Sequence, residues 1–437
     1  MKDKSFKRFL LSLYKPVKFL AFTMIISMAI SQVLNLVQQY IIKNIIDLPS
    51  SNDLQITDLY QVITVLIVVI VLELIFYYIS NITRTIHMVK KQTPYITEKL
   101  FKHLNNKTYP FFVDNYSGKI TTAINQINDE VGELNTKITT GFISLLTSMI
   151  SSLVVLYTIN INICIVATIL FAGIIISRII YFSKKYLPLI EKAEINNREY
   201  NGVLNDAVLN FTSLRLYSAV ENFSKTLKHK KEEVNLYKNK ASTREFSFGA
   251  VANIAYVIVL AILMLYSIDL FSNNLMSLGN FVFFINAMIS IKSQTTSFTW
   301  AYIQIGEILV RMKNSYELLY KDNNIKDNDK QDIKIENGDI RFNNISFKYN
   351  QNYVFEDFNL DIHNKEKIGI IGVSGSGKTT LTNLLFKFYT PQNGEILIDN
   401  KNIANYNAKS LYDSLTFVPQ ETILLHSSIY DNIKIAK

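Results

Sequence analysis

The sequence predicts a mainly α-helical membrane protein that ends in a smaller α/β unit. Three observations carry this. The chain is 49% hydrophobic and only 19% charged, with a mean hydropathy of +0.15, which excludes a disordered or nucleic-acid-coating chain. The apolar residues gather into six runs before residue 303. After Lys321 the composition turns into that of an ordinary globular segment, which holds one glycine-rich loop between a predicted strand and a predicted helix.

An α-helix needs about 20 mostly apolar residues to cross the hydrocarbon core of a bilayer. Runs 17–42, 60–80, 141–157, 161–181, 248–268 and 280–302 are the candidates. The second is apolar on every face, which a soluble helix is not. The third and fourth meet around Asn160 and predict a tight helical hairpin. The basic N-terminus followed by an apolar run resembles a signal peptide, but the run is too long and lacks a small-x-small cleavage site, so it predicts an uncleaved first span.

Basic residues set the orientation. Residues 43–59 hold one Lys, whereas 83–140 hold eight Lys/Arg and 182–245 hold twelve. Six spans with the odd-numbered loops outside place both termini in the cytosol of a plasma-membrane protein. The same basic excess has a second reading, contact with anionic membrane lipid. Residues 191–240 have few Gly or Pro and predict helices that carry the membrane bundle into the cytosol.

Several chemistries drop out. One cysteine, Cys164, excludes a disulfide framework. The five histidines, His87, His103, His229, His363 and His426, have no zinc-enzyme spacing. Residues 335–437 hold eleven acidic and ten basic residues, so the +9 net charge belongs almost wholly to the membrane half, and no nucleic-acid partner is predicted.

Residues 1–320 are expected to form the membrane domain, 321–334 a polar linker, and 335–437 the soluble domain. In the last, strands are predicted at 340–349, 358–362 and 367–372, with a helix over 381–389. Between the third strand and the helix lies Gly372-Val373-Ser374-Gly375-Ser376-Gly377-Lys378-Thr379, then Thr380. This is G-x-x-x-x-G-K-[ST] in the strand–loop–helix setting that gives it meaning. Its glycines let the backbone curl with N–H groups inward around a phosphate chain, and the helix N-terminus adds positive potential. Lys378 is placed to reach the β- and γ-phosphates and Thr379 to ligate Mg²⁺.

Six spans followed by this loop resemble an ABC exporter half-transporter: a six-helix membrane domain joined to the N-terminal part of an α/β P-loop nucleotide-binding domain. The resemblance implies ATP and Mg²⁺ as cofactors. It implies dimerisation with a second half-transporter, identical or related, and ATP-driven export of a substrate the residues do not name. Gly338–Tyr349 resembles the family's opening strands, with Tyr349 as the aromatic that stacks on adenine. Residues 389–399 resemble the turn and strand after the phosphate-loop helix. Residues 417–433 resemble the Q-loop segment, with Gln420 as the Mg²⁺ and water contact. Residues 109–129 fall where such proteins carry the first coupling helix, and 201–223 near the second.

Two departures stand out. Lys365-Glu366 replaces the family's usual Gly-Glu. The signature motif, the Walker B strand with its Asp and adjacent Glu, and the switch His do not occur in the 437 residues. These residues are therefore expected to bind nucleotide without hydrolysing it by themselves. The rival reading is a truncated or split, non-transporting membrane protein that binds nucleotide or a partner transporter and regulates.

Charged residues inside spans are costly and default to functional candidates. Glu73 and Lys292 are candidates for a translocation cavity; alternatively Glu73 hydrogen-bonds between helices and Lys292 snorkels. Arg178 needs only to snorkel from the cytosolic end of the fourth run. Thr23, Ser27, Ser31, Asn35 and Gln38 form one polar stripe on the first, suited equally to a wet wall or to helix packing.

The six-span topology is testable. In a Cys164→Ser background, a cysteine at Asn273 should react with an impermeant maleimide applied to whole cells, and one at Asn197 should not. External labelling at Asn197 would overturn the orientation.

Overall fold

Hydrocarbon offers backbone N–H and C=O groups no partner outside the chain, so the apolar runs become helices whose length the runs themselves set as a minimum. The computed structural model describes residues 4–47, 56–115, 117–320, 331–418 and 424–434. It divides into two compact units, Met1–Phe101 with Thr121–Leu319, and Lys102–Ile120 with Tyr320–Lys437.

The first unit opens with α1 (Lys4–Leu13), which buries Phe6, Phe9 and Leu13 on one face at i, i+3 and i+7. Phe9 packs on Tyr316, with ring centroids 4.9 Å apart. Pro16 sits in the short 3₁₀ elbow Lys15–Val17 before α2 (Lys18–Asp47). The second run is α3 (Ile56–Ile82), which passes through a π-helical segment, Thr83–Met88, into α4 (Val89–Leu104). A short helix, α5 (Tyr109–Asp114), belongs to the second unit.

Next come α6 (Ser117–Thr136), a π segment Lys137–Ile143 and α7 (Ser144–Ile159). The expected hairpin is present: Asn160 alone separates α7 from α8 (Ile161–Tyr181). Its Oδ1 accepts from the N–H groups of Asn162 at 2.9 Å and Ile163 at 3.3 Å, capping α8 where no water-exposed loop is needed. A third π segment, Phe182–Tyr186, leads to α9 (Leu187–Leu209), followed by α10 (Phe211–Leu216). The bundle closes with α11 (Val220–Ser272) and α12 (Leu278–Tyr320).

Among the described residues five stretches are long and apolar enough to cross a membrane: Ser5–Asp47, Leu59–Leu104, Ser117–Ile159, Ile161–Leu209 and Val220–Ser272. The sixth expected span lies in α12. With 43 residues α12 has the length, about 65 Å at 1.5 Å per residue, but its first half carries Asn280, Asn286, Lys292 and Gln294 and falls short in apolarity. Burial explains the difference. Phe283, Phe284, Ala287, Met288 and Ile291 of α12 share a core with Leu156 of α7, Phe171 of α8 and Leu263 of α11. A helix enclosed by protein does not need lipid-compatible residues all round; Gln294, for instance, donates to Ser148 Oγ.

Polar ties join these helices at their ends. Asp47, the last residue of α2, accepts from Gly279 N at 2.8 Å and from Ser277 Oγ at 3.0 Å, so its carboxylate caps the N-terminus of α12. A Cβ at position 279 would lie 2.5 Å from that carboxylate, so a larger residue there would push the capping group aside. Toward the other end, Arg311 of α12 grips Glu130 of α6 with two hydrogen bonds, one of them Nη2 to Oε2 at 2.8 Å. Tyr14 donates to Asn135 at 2.6 Å, and Asn135 donates to Gln92 at 2.9 Å. The polar stripe of α2 divides: Ser27 and Ser31 are buried among helices, whereas Gln38 reaches α3.

The second unit is built on an antiparallel sheet of order β2–β1–β3–β4, comprising β1 (Ile340–Lys348), β2 (Tyr353–Ile362), β3 (Asn393–Ile398) and β4 (Lys401–Asn402). In register, Ile340 faces Ile362 on one side and Ile398 on the other, and Phe342 faces Leu360 and Ile396. Phe342, Ile345, Phe347, Ile396 and Ile398 form the core with Leu381 and Leu384 of α13 (Lys378–Leu385) and Leu411 of α14 (Ala408–Tyr412). A last short helix, α15, spans Ile429–Lys434.

Two sequence expectations change here. The predicted strand at 367–372 has no ladder partner among the described residues, and Ile371 is 98% exposed; an apolar run becomes a strand only where a neighbour supplies the matching N–H and C=O groups. The predicted helix 381–389 starts earlier and stops at Leu385, because Lys387 turns to φ +57° and its Nζ donates to Tyr406 O at 2.7 Å.

Asp399 organises the entry to β1. Its Oδ2 accepts from the backbone N–H groups of Glu336 (2.6 Å) and Asn337 (3.0 Å), and its Oδ1 from those of Gly338 (2.8 Å) and Asp339 (3.0 Å). Burial works to raise the carboxyl pKa, but these four donors outweigh it and hold the group at about 2. An unfolded Asp titrates near 3.9, so this contribution to stability is complete above about pH 4 and is lost as pH falls through about 2. Amide hydrogen exchange at 336–339, corrected for intrinsic rates, should lose protection between pH 4 and pH 2. In Asp399→Asn that step should vanish; the same step in the variant would refute the assignment.

Candidate nucleotide site and membrane cavity

The residues of the glycine-rich loop come together at one end of α13. Gly377 is the N-cap of that helix at φ +93°, a left-handed conformation that costs an L-residue about 1–2 kcal/mol. A Cβ there would lie 2.8 Å from Phe355 Cζ and 3.0 Å from Val354 Cγ1, so sterics and dihedral both demand glycine. The loop turns back on itself through Ser376 N to Val373 O, 3.2 Å. Lys378, the first residue of the helix, folds its ammonium into this turn, donating to Gly372 O at 2.7 Å, Val373 O at 2.8 Å and Ser376 Oγ at 3.4 Å.

A cation held by neutral carbonyls beside a helix N-terminus makes a receptor for a polyanion. Val373, Ser374, Gly375, Ser376 and Thr379 are exposed around it, so the donor set faces an open mouth. Thr380 is buried, and its hydroxyl is 3.2 Å from the Tyr349 hydroxyl. The sequence places Tyr349 and the loop 23 residues or more apart; the sheet brings them to hydrogen-bonding distance. The Tyr349 ring stays 46% exposed, with Phe347 packed edge-on at 4.9 Å and Tyr389 at 5.0 Å. Gln420 lies outside the described residues.

Two aromatic residues went unnoticed as partners in the sequence. Tyr389 stands perpendicular to Tyr349 (88°), and Tyr109 of α5 stacks on Phe388 at 4.5 Å and 10° while meeting Tyr389 at 5.9 Å. The segment expected to be the first coupling helix therefore reaches, within one unit, the ring that flanks Tyr349. Burial pushes the Tyr389 phenol above its ordinary pKa, reinforced by Tyr349, Tyr109 and Asp114, so it stays protonated. The adjacent Phe388-Tyr389 pair after α13 was the available signal.

In the first unit, Glu73 accepts a 2.6 Å hydrogen bond from Gln38 Nε2, tying α3 to α2. Lys292 is exposed, with its ammonium 5.4 Å from the centre of the Tyr256 ring. The snorkelling expected of Arg178 is not what the structure has: Arg178 is only 6% exposed and donates to Thr299 Oγ1 at 2.8 Å. It faces a cavity of about 370 Å³ bounded by α8, α11 and α12. Depth along the run was a poor guide because neighbouring helices, not lipid, surround its head.

Residues 21–294 match the family described as ABC transporter transmembrane region, and residues 355–437 match the family described as ABC transporter. An uncharacterised ABC transporter ATP-binding protein of Haemophilus influenzae is 25% identical over 327 residues, 74% of this chain and 53% of that protein. A putative multidrug export ATP-binding/permease protein of Staphylococcus aureus is 25% identical over 353 residues, 78% of this chain and 60% of that protein. The chain thus spans a little over half the length of these relatives. A bacterial Atm1-family ABC exporter, solved with ATP bound, superposes on 97% of this chain and 75% of its own with a TM-score of 0.80 at 18% identity, a likeness of fold.

The loop geometry makes a stability prediction. Gly377→Ala should destabilise the second unit by at least the 1–2 kcal/mol of the left-handed backbone, with the Phe355 collision added. Limited proteolysis in rising urea should release the C-terminal segment at lower denaturant than in the wild type. An unchanged midpoint would show that the loop does not hold this conformation.

Proposed function

This chain belongs to the ABC transporter family, and on that premise we propose that it is a subunit of an ATP-driven exporter. It works as a dimer with a second half-transporter, a copy of itself or a related chain, in the plasma membrane. Both termini and the soluble unit lie in the cytosol, as the basic loops favour. The observation that carries the reading is the Lys378 ammonium inside the Gly372–Thr379 loop at the start of α13.

Each residue has a part in binding. The N–H groups of Val373, Ser374, Gly375, Ser376, Gly377, Lys378 and Thr379 face the phosphate chain, with Gly372 starting the turn and Thr380 anchoring it. Lys378 exchanges its two carbonyl partners for phosphate oxygens, a gain because hydrogen bonds between charged groups are the stronger ones. Tyr349 offers its exposed face to adenine while Tyr389 and Phe347 hold its edges. Thr379, exposed at the loop mouth, and Gln420 are the residues that would hold Mg²⁺, which neutralises phosphate charge when bound. Nucleotide binding is the step assigned to these residues; hydrolysis and export are assigned to the assembled transporter.

Lys378→Ala should abolish photolabelling by 8-azido-ATP while membrane insertion is unchanged. Tyr349→Ala should weaken the same binding by about 1–3 kcal/mol, by analogy with base–aromatic stacking, and Tyr349→Trp should restore it. Labelling of Lys378→Ala at the wild-type level would overturn the nucleotide site.

A further inference from the structure

The cavity of about 370 Å³ in the first unit is walled by α8, α11 and α12. Helical spacing selects its lining. From α12 come Thr296, Thr299 and Trp300, on successive turns. From α11 come Glu245, Phe248 and Asn253, and from α8 Arg178. A second, far smaller pocket of about 10 Å³ shares Arg178, Asn253 and Thr296 with this cavity and is also lined by Lys292 and Tyr256.

Arg178 is the anomaly. A guanidinium has five N–H donors. Here one is bonded to Thr299 Oγ1, and Nε is buried with no partner. Among the described residues no carboxylate pairs with it. A charge taken out of water at this depth is costly unless something compensates it. Lys292 adds a second cation in the small adjoining pocket that Arg178 also lines, with Tyr256 under its ammonium. Glu245 is the one carboxylate lining the chamber, so over the two adjoining pockets together Arg178 and Lys292 face a single carboxylate. Apolar surface in the same cavity comes from Phe182, Phe248 and Trp300, the last 46% exposed.

We propose that this cavity binds the oxyanion head of an amphiphile, a carboxylate, sulfonate or phosphate on an aromatic or apolar body. Arg178 and Lys292 hold the head, and Trp300 with its phenylalanine neighbours holds the body. The proposal names the substrate class of the exporter and rests on that reading for the direction of transport, though not for the binding itself. The required chemistry is shared by soluble organic anions and by anionic lipids.

Trp300 is the chain's single tryptophan, so its fluorescence reports on this cavity alone. The 437-residue chain in phosphatidylcholine nanodiscs should show saturable quenching by 4-nitrobenzenesulfonate, corrected for absorption. Neutral 4-nitrobenzamide and cationic 4-nitrobenzyltrimethylammonium should need at least tenfold higher concentrations. Arg178→Gln should raise the half-saturation for the sulfonate at least tenfold, and Arg178→Lys less than threefold. A wild-type tryptic cleavage pattern of the membrane unit in both variants establishes that they fold. If Arg178→Gln does not fold, Lys292→Gln, which should raise the half-saturation at least threefold, decides the matter instead.

Equal quenching by the three probes, or no response to loss of the charge, would overturn the site. Phosphatidylglycerol added at one-tenth of the lipid assigns the source: competition with the sulfonate supports a lipid headgroup as occupant, and its absence supports a soluble anion. The Lys378→Ala variant should quench like the wild type. A failed nucleotide site and a failed anion site thus give different results.

Discussion

Every backbone donor and acceptor in the membrane half must find its partner inside the chain, and most of the architecture follows from meeting that demand. Continuous helices satisfy all but the end groups, so the ends decide where the chain can turn. The single residue between α7 and α8 suffices because Asn160 carries the acceptor that α8 needs. At the same side of the logic, α12 begins on the carboxylate of Asp47, delivered by α2 across more than two hundred residues. That bond couples the first and last long helices of the unit. On the face of α12 that its neighbours enclose, a polar residue such as Gln294 is tolerable because a partner helix supplies its hydrogen bond.

Much of this was legible in the residues. Apolar runs identified where helices lie, since no other spanning structure fits such composition, and Asn160 announced the hairpin. The phosphate loop was legible because glycines at fixed spacing ahead of Lys378 leave few alternatives. Less legible was everything decided by which helix neighbours which. Arg178 and Glu73 are each one charge in an apolar run; only the packing distinguishes a guanidinium sealed against Thr299 from a carboxylate tied to Gln38. The strand predicted at 367–372 depended on a neighbour that a local pattern cannot supply. The link between Tyr109 and Phe388 joins residues nearly three hundred positions apart, and the Phe388-Tyr389 pair shows only one side of it.

In the second unit the same aromatic cluster has two ends. One is Tyr349, whose hydroxyl meets Thr380 beside the phosphate loop, and the other is Tyr109 on α5. Between them Tyr389 meets both rings edge-on, at 5.0 Å from Tyr349 and 5.9 Å from Tyr109. Phe347, packed edge-on against Tyr349, joins the cluster to the sheet core of Phe342 and Ile345.

The three π segments, Thr83–Met88, Lys137–Ile143 and Phe182–Tyr186, fall close to where an apolar run meets its basic continuation. A π turn accommodates one residue more than an α turn, and one residue is about 100° of rotation. Each long rod is therefore two helices of independent phase on a common axis. The half in lipid and the half beyond it can choose their buried faces separately, and a periodicity measured across the whole rod averages two patterns into none.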